Sequence, residues 1–309
     1  MLSLIPLIVI VGPTAVGKTE FAIQLAERLD GEIVSADSRL FYRGVDIGTA
    51  KPTQAERCRI PHHLIDVTSP DQAWSLALFQ IMANQAILDI HQRGKLPFLV
   101  GGTGQYIRAV IEEWEIPKSA PNPAMRGALE RWADEVTPAG LHQRLAILDQ
   151  AAASRIDLRN LRRTIRALEV ILVTGRRFSE QRKISFSRYH LLHIGLTRPR
   201  PELYSRIDQR IKHMIQSGLE EETRNLLAQG YSPDLPALSA IGYHEMIAYI
   251  QGKMTLYEAV TEMKRATRIF VRRQANWFKA NDPTIRWFTV GAETLGVIED
   301  MIRIWLNKS

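Results

Sequence analysis

The sequence predicts an α/β fold: a parallel sheet flanked by helices, interrupted by an inserted all-helical domain. Three observations carry this. Short apolar runs alternate with helical patterns through the first third of the chain. The first of these runs leads directly into a glycine-rich loop and then a helix. From residue 118 to 188 only helical periodicity is present, after which a strand pattern returns. Strands that read as continuous apolar runs belong to parallel sheets covered on both faces.

Each element has its own signal. Residues 4–11 (LIPLIVIV) form the first strand. Residues 20–29 continue as an amphipathic helix with Phe21, Leu25 and Leu29 on one face. Strands follow at 32–36 and 63–67, then a long helix at 76–93 and a buried strand at 96–100 that ends in Gly-Gly-Thr-Gly. Three prolines within 116–123 (IPKSAPNP) mark an exit from the sheet. In the insertion, one helix places Leu161, Ile165, Leu168 and Leu172 on an apolar face and stops at Gly175. Strands return at 191–196 and 285–290. The domain reading is therefore 1–117 with 189–309 as the α/β core and its C-terminal helices, and 118–188 as the helical insertion.

Composition narrows the function classes. The 309 residues suffice for one large α/β domain or two smaller ones. No apolar stretch reaches the ~18–20 residues of a membrane span. The first apolar run has no basic segment before it and reads as a core strand, not a signal peptide. The single cysteine, Cys58, permits no intrachain disulfide, cannot build a metal site, and fits a reducing cytoplasmic setting. The net charge of +7 is concentrated in residues 118–188, which hold 14 Lys+Arg against 7 Asp+Glu. A basic insertion on a neutral body points to a polyanionic partner, with a solvated arginine-rich helix face as the alternative.

Residues 12–19 read GPTAVGKT, a complete G-x-x-x-x-G-K-[ST] loop. Gly12, Pro13, Thr14, Ala15, Val16 and Gly17 bring backbone groups around phosphate oxygens, Lys18 adds a charge, and the Thr19 hydroxyl can complete the shell of a Mg²⁺ ion. The fold is thus P-loop NTPase-like. Ligands of such sheets sit beyond the strand ends, so this loop, residues 35–38 (SADS) and residues 101–104 (GGTG) share one crevice. Two enzyme classes fit. A kinase or NTPase needs an acidic residue at a strand end for its metal. Asp37 can serve, but strand 96–100 ends in glycines where an NTPase usually carries an acid. Alternatively the diphosphate is a leaving group, and Asp37 is the general base for an attacking amine or hydroxyl. An RNA-binding protein switched by nucleotide is a third, non-enzymatic reading. His62 and His63 lack partners at metal-ligand spacing.

Beyond the loop, SADS (35–38) followed by Tyr42, DIGTAKP (46–52), PHHLID (61–66), LVGGTGQYI (99–107), RALEV (166–170), RIDQRIKHM (206–214), IGYHE (241–245) and RRQANWF (272–278) occur in order. This set closely resembles the bacterial tRNA dimethylallyltransferases, or isopentenyl-tRNA transferases, over nearly the whole chain. The resemblance implies transfer of a dimethylallyl group from dimethylallyl diphosphate to N6 of adenosine 37 in tRNA, with Mg²⁺. It implies that Gly12 to Thr19 hold the diphosphate with Thr19 on the metal, and that Asp37 takes the adenine amine proton. Thr103 would then contact the diphosphate, and Arg210 or its neighbour Arg206 would stabilise the departing charge. Adenylate isopentenyltransferases, which use free nucleotide, are the alternative within the superfamily; the basic insertion favours tRNA.

The same resemblance implies tRNA contacts at Asp37, Ser38, Arg39 and Leu40, at Thr103 and at Arg126. Further contacts are implied on the helix carrying Arg162, Arg163, Thr164, Ile165 and Arg166, and at Ser239, Gly242, Tyr243 and His244. Gln105 and His244 depart from the usual family residues. The target adenine is stacked in the anticodon loop and must be flipped out to be reached. On the helix at 258–279, Lys264, Arg268 and Arg272 follow one side and are expected to meet RNA. Met263, Phe270 and Trp277 recur every seven residues and are expected to pack in the core. A monomer is expected.

Overall fold

Alternation along the first strand sets the layers. In β1 (Ile5–Val11), Leu7, Val9 and Val11 enter one core while Ile8 and Ile10 enter the other, all fully buried. A strand buried on both faces has to be central. The computed structural model, which describes residues 4–72, 74–116, 122–180 and 188–307, places it so. Six parallel strands run in the order β3 (His62–His63), β2 (Gly31–Ser35), β4 (Leu96–Val100), β1, β5 (Tyr189–Thr197), β6 (Ile285–Thr289).

One face is covered by α3 (Leu76–Gln92) and α4 (Gly104–Ile111), through Phe79, Ile87, Ile107 and Val110. The other is covered by α1 (Lys18–Arg28), with the short α2 (Gln54–Arg59) beside it. The C-terminal helices α8 (Arg200–Gln216), α9 (Leu219–Ala228), α10 (Tyr243–Ile250), α11 (Leu256–Gln274) and α12 (Thr294–Leu306) complete that layer.

In sequence, α5 (Pro123–Leu148), α6 (Gln150–Ala153) and α7 (Leu161–Thr174) come after α4 and before β5. The chain divides into two compact units, residues 1–111 with 187–309, and residues 112–186. The second unit has its own core of Leu129, Leu141, Leu145, Ile165 and Leu168. Its long α5 is broken at Thr137, where φ is 70°, immediately before Pro138. Most of the proline-rich exit at 116–123, and the boundary at 117/118, lie outside the described residues.

Several expectations are corrected. The strand at 63–67 pairs only over His62–His63, because Leu64 and Asp66 take positive φ and end the extension. The α1 face stands as expected: Leu25 is buried with Ala22, Ile23 and Ala26, and Phe21 and Leu29 pack half-buried against the same core. Leu172 on α7 is exposed, because Ala167, Leu168 and Val170 fill the face turned inward. The seven-residue spacing on α11 fails as a core pattern. Met263 is buried, but Phe270 is 41% exposed and Trp277 39% exposed. The helix ends at Gln274, and Phe278 enters the core instead.

Candidate active site

The loop after β1 is built for an anion. Gly12 is required there: a Cβ would lie 2.5 Å from the Leu196 carbonyl oxygen, and φ is +152°. Gly17, at φ 106°, caps α1 without any side-chain hydrogen bond, so the first N–H groups of the helix are left for a ligand. Lys18 Nζ donates to the carbonyls of Gly12 and Pro13, each at 2.9 Å. Burial pushes the Lys18 ammonium down to about 8; Asp37 opposes this shift and Arg210 adds to it.

The loops after β2 and β4 meet beside it. The Asp37 carboxylate accepts the Arg39 N–H at 3.0 Å, and the Thr103 hydroxyl oxygen accepts the Ser38 N–H at 3.3 Å. Gly101 has to be glycine, since a Cβ would lie 2.3 Å from the Ala36 carbonyl oxygen. Beneath these loops Phe41, Trp74, Phe79 and Tyr106 form an aromatic cluster, with Phe41 and Tyr106 stacked 5.8 Å apart. Burial pushes the Tyr106 phenol up to about 12.

A cavity of about 480 Å³ collects these parts. Thr14, Ala15, Gly17, Lys18 and Thr19 line it from the phosphate loop, Ser35, Asp37 and Leu40 from the β2 end, and Val100 and Gly101 from the β4 end. From α8 come Arg206, Gln209, Arg210 and His213, spaced so that one helix face looks into it. Arg206 Nε donates to the Ala15 carbonyl at 2.8 Å, and Arg210 Nη2 to the Thr49 carbonyl at 3.0 Å. Burial lowers the Arg210 pKa and Asp37 opposes the shift, so carboxylate and guanidinium feel each other across the cavity. Thr103 does not line this cavity; it holds the Ser38 backbone next to Asp37. An anion on the loop would meet Lys18, Arg206 and Arg210. Three carboxylates, Glu20, Asp37 and Glu56, also line the cavity, and of these Asp37 is the one whose charge acts on both Lys18 and Arg210.

Among the described residues no group of three His, Cys, Asp or Glu could hold a metal by itself. Thr19, Ser35 and Asp37 nevertheless line one cavity as hard oxygen donors. Such a set suits a Mg²⁺ ion that takes its remaining ligands from phosphate oxygens and water. Of the PHHLID histidines, His62 also lines this cavity and His63 does not. His63 Nε2 pairs with Glu32 at 2.7 Å, and His62 Nδ1 lies 2.7 Å from the Ile60 carbonyl.

The candidate RNA residues divide by burial. In the first unit Ser239, His244 and Arg272 are exposed, and Arg39 joins two loops by donating to the Pro236 carbonyl and to the Ser239 hydroxyl. Tyr243 is corrected: it is fully buried, its hydroxyl donates to Glu222 and accepts the Gly48 N–H at 3.1 Å, and it offers no surface to RNA. Gly242 is buried and its N–H is taken by Glu245 at 2.7 Å. Arg268 is also corrected, since Nη2 reaches both Asp208 oxygens at 2.9 Å and its guanidinium lies over the Tyr204 ring.

In the second unit Arg162 and Arg163 are exposed, whereas Thr164 and Ile165 belong to the core and are corrected likewise. Arg126 and Arg166 converge on Glu169, which is 1% exposed, at 3.0 and 2.7 Å. Burial alone would raise the Glu169 carboxyl, but the two guanidinium groups and the Asn122 N–H hold it below the usual range.

Sequence reasoning overlooks two residues at the phosphate loop. Arg198 Nε donates to the Val16 carbonyl at 2.9 Å. Gln274 is buried and accepts the Thr14 N–H at 2.8 Å while donating to the Gly102 carbonyl at 3.2 Å. The only signal for Gln274 is its place inside RRQANWF, where a neutral polar side chain interrupts the basic run.

Comparison with known proteins agrees with this geometry. The sequence model of the family described as IPP transferase matches residues 40–281, and that described as Isopentenyl transferase matches residues 5–64. A tRNA dimethylallyltransferase of Roseiflexus sp. (strain RS-1) is 55% identical over 276 residues, 89% of this chain and 90% of that protein. One from Carboxydothermus hydrogenoformans is 46% identical over 299 residues, 96% of each. Among solved structures, the full-length tRNA isopentenylpyrophosphate transferase from Bacillus halodurans superposes with a TM-score of 0.74 at 42% identity, covering 98% of this chain and 97% of that one. A eukaryotic dimethylallyltransferase acting on tRNA superposes with a TM-score of 0.84 at 26% identity, covering 98% and 80%.

Proposed function

The chain belongs to the tRNA dimethylallyltransferase family, and from that premise we propose how its residues carry the reaction. The enzyme is a prenyltransferase that acts on tRNA. Its donor is dimethylallyl diphosphate and its acceptor is the exocyclic N6 of adenosine 37, presented by the anticodon stem-loop. The observation that carries this reading is the shared cavity of Lys18, Arg206, Arg210 and Asp37. In this reading Lys18, Arg206 and Arg210 meet the charge that accumulates on the diphosphate, and Asp37, the lining carboxylate whose charge acts on both Lys18 and Arg210, takes the amine proton.

In the reaction the adenine N6 forms a bond to C1 of the allyl group as the C1–O bond to diphosphate breaks. The electron pair leaves with the diphosphate, whose growing charge meets Lys18, Arg210, Arg206 and the free N–H groups at the α1 terminus. Asp37 accepts the proton from N6. An aromatic amine is a poor nucleophile, so most of the acceleration comes from alignment and leaving-group stabilisation. Thr19 would hold a Mg²⁺ ion, which would supply further neutralisation of the leaving group. Exposed Arg162 and Arg163 meet RNA phosphates, which position the substrate without reading its sequence. We propose that the protein works as a cytoplasmic monomer; no described helix is long and apolar enough to cross a membrane.

The deciding experiment incubates the protein with Mg²⁺, labelled dimethylallyl diphosphate, and either anticodon stem-loop RNA or AMP. Label is expected in the RNA. Label in AMP alone would turn the assignment to an adenylate isopentenyltransferase. Phosphoryl transfer from ATP without prenyl transfer would turn it to a kinase.

A further inference from the structure

We infer that Gln274 is a positioning residue for the leaving diphosphate: from the end of α11 it clamps the phosphate loop to the β4 loop and fixes the peptide plane on which Lys18 rests. One peptide unit joins Lys18 to Gln274. The Pro13 carbonyl accepts Lys18 Nζ at 2.9 Å, and the N–H of the same peptide, on Thr14, donates to Gln274 Oε1 at 2.8 Å. A trans peptide is planar with its C=O and N–H opposed. A side chain holding the N–H therefore sets the direction of the carbonyl that receives the lysine.

The other half of the amide reaches the second loop. Gln274 Nε2 donates to the Gly102 carbonyl at 3.2 Å, and a Cβ on Gly102 would lie 2.3 Å from that nitrogen. The loop is thus shaped to admit this side chain. Gly102 directly precedes Thr103, whose hydroxyl holds the Ser38 N–H beside Asp37. One buried amide hence sets the spacing between the diphosphate loop and the β4 loop, which through Thr103 holds the β2 loop that carries the proton acceptor. A neutral amide suits the task, because it accepts from one partner and donates to the other without placing charge next to the phosphates.

The inference rests on the diphosphate reading of the loop, and its test has an arm independent of RNA. Gln274→Ala and Gln274→Glu are compared with wild type by calorimetric titration with inorganic diphosphate, which counts correctly folded sites, and by kcat and KM for prenyl transfer. In Gln274→Ala, kcat per titrated site should fall about 10- to 100-fold, since a misplacement of about 1 Å costs that much. A change in kcat per site is not what simple loss of folded protein produces. Gln274→Glu keeps the shape, loses the donor to Gly102 and adds a negative charge. It should bind inorganic diphosphate more weakly than Gln274→Ala near pH 8 and approach it as the pH falls and the buried acid is protonated. Values of kcat per site and diphosphate Kd within twofold of wild type in both variants would overturn the inference. If the wild type prenylates no RNA, the functional reading fails, while equal or unequal diphosphate affinities still decide the role of Gln274.

Discussion

Lys18 Nζ donates to the Gly12 carbonyl oxygen at 2.9 Å, so the cation of the phosphate loop is folded onto its own backbone. Its pKa is about 8, lowered by burial. The charged form that binds an anion is therefore present below about pH 8 and lost above it. Affinity for inorganic diphosphate should fall by roughly tenfold per pH unit once the pH passes that value. Calorimetry across about pH 7 to 9 on wild type and Lys18→Met checks this, because the difference between them cancels the ionisation of the ligand. A pH dependence identical in the two proteins would remove Lys18 from anion binding.

Asp37 lines the same cavity, and the proposed reaction uses it as the proton acceptor. Replacing it with asparagine keeps the Arg39 N–H partner but removes the base, and kcat should drop by about 10²- to 10⁴-fold. Diphosphate binding should stay level or tighten, because a negative charge near the anion is gone. Single-turnover prenylation with saturating RNA, paired with diphosphate titration, separates the two effects. A loss in diphosphate affinity equal to the loss in rate would make Asp37 a structural cap of the β2 loop instead.

Local chemistry made much of this legible. The strand ends that form the cavity read directly from apolar runs followed by GPTAVGKT, SADS and GGTG, because buried parallel strands and phosphate loops leave short-range signatures. Arg206 and Arg210 were legible as helix neighbours, and the cavity lies on their side of α8. What stayed hidden depends on long-range contact. Gln274 meets Thr14 across 260 residues, and no spacing rule reports that. Burial was hidden too: Tyr243 and Thr164 sit in motifs beside exposed residues, yet they point into cores. Trp277 misleads for another reason, since a seven-residue repeat implies a stripe only while the helix lasts and α11 ends at Gln274. Phe270 is still within the helix but off its buried face, which carries Ala259, Met263, Thr267 and Gln274.

At the sheet margin, Glu32 binds Arg93 at 2.9 Å and His63 at 2.7 Å, joining β2, β3 and the end of α3. Arg93 first, then His63, holds its carboxyl down at about 2, against burial. A depressed folded pKa contributes stability that is present above the unfolded value of 4.5 and lost as the pH falls towards about 2. The shift alone amounts to about 3 kcal/mol, reduced to about 2 kcal/mol because Arg93 is 42% exposed and screened. Glu32→Gln should cost that much at neutral pH in urea unfolding, and the gap from wild type should close near pH 2 to 3. A gap independent of pH would mean that shape, not charge, holds this corner.

The helical unit offers a test that separates charge from geometry. Arg162 and Arg163 are exposed, whereas Arg126 and Arg166 are held on the buried Glu169. Removing both exposed cations in Arg162→Ala/Arg163→Ala should weaken binding of anticodon stem-loop RNA. It should also lower the slope of log affinity against log salt by about 1.4, at ~0.7 per contact to single-stranded phosphate. kcat at saturating RNA should not change. Glu169→Gln does the reverse to the charge, leaving the unit one charge more positive while loosening both arginines. If net charge alone governed RNA binding, this variant would bind more tightly. Because Glu169 orients two guanidinium groups that would otherwise sample many rotamers, weaker RNA binding with an unchanged salt slope is the expected result. Affinity measured over a salt series for both variants decides between them.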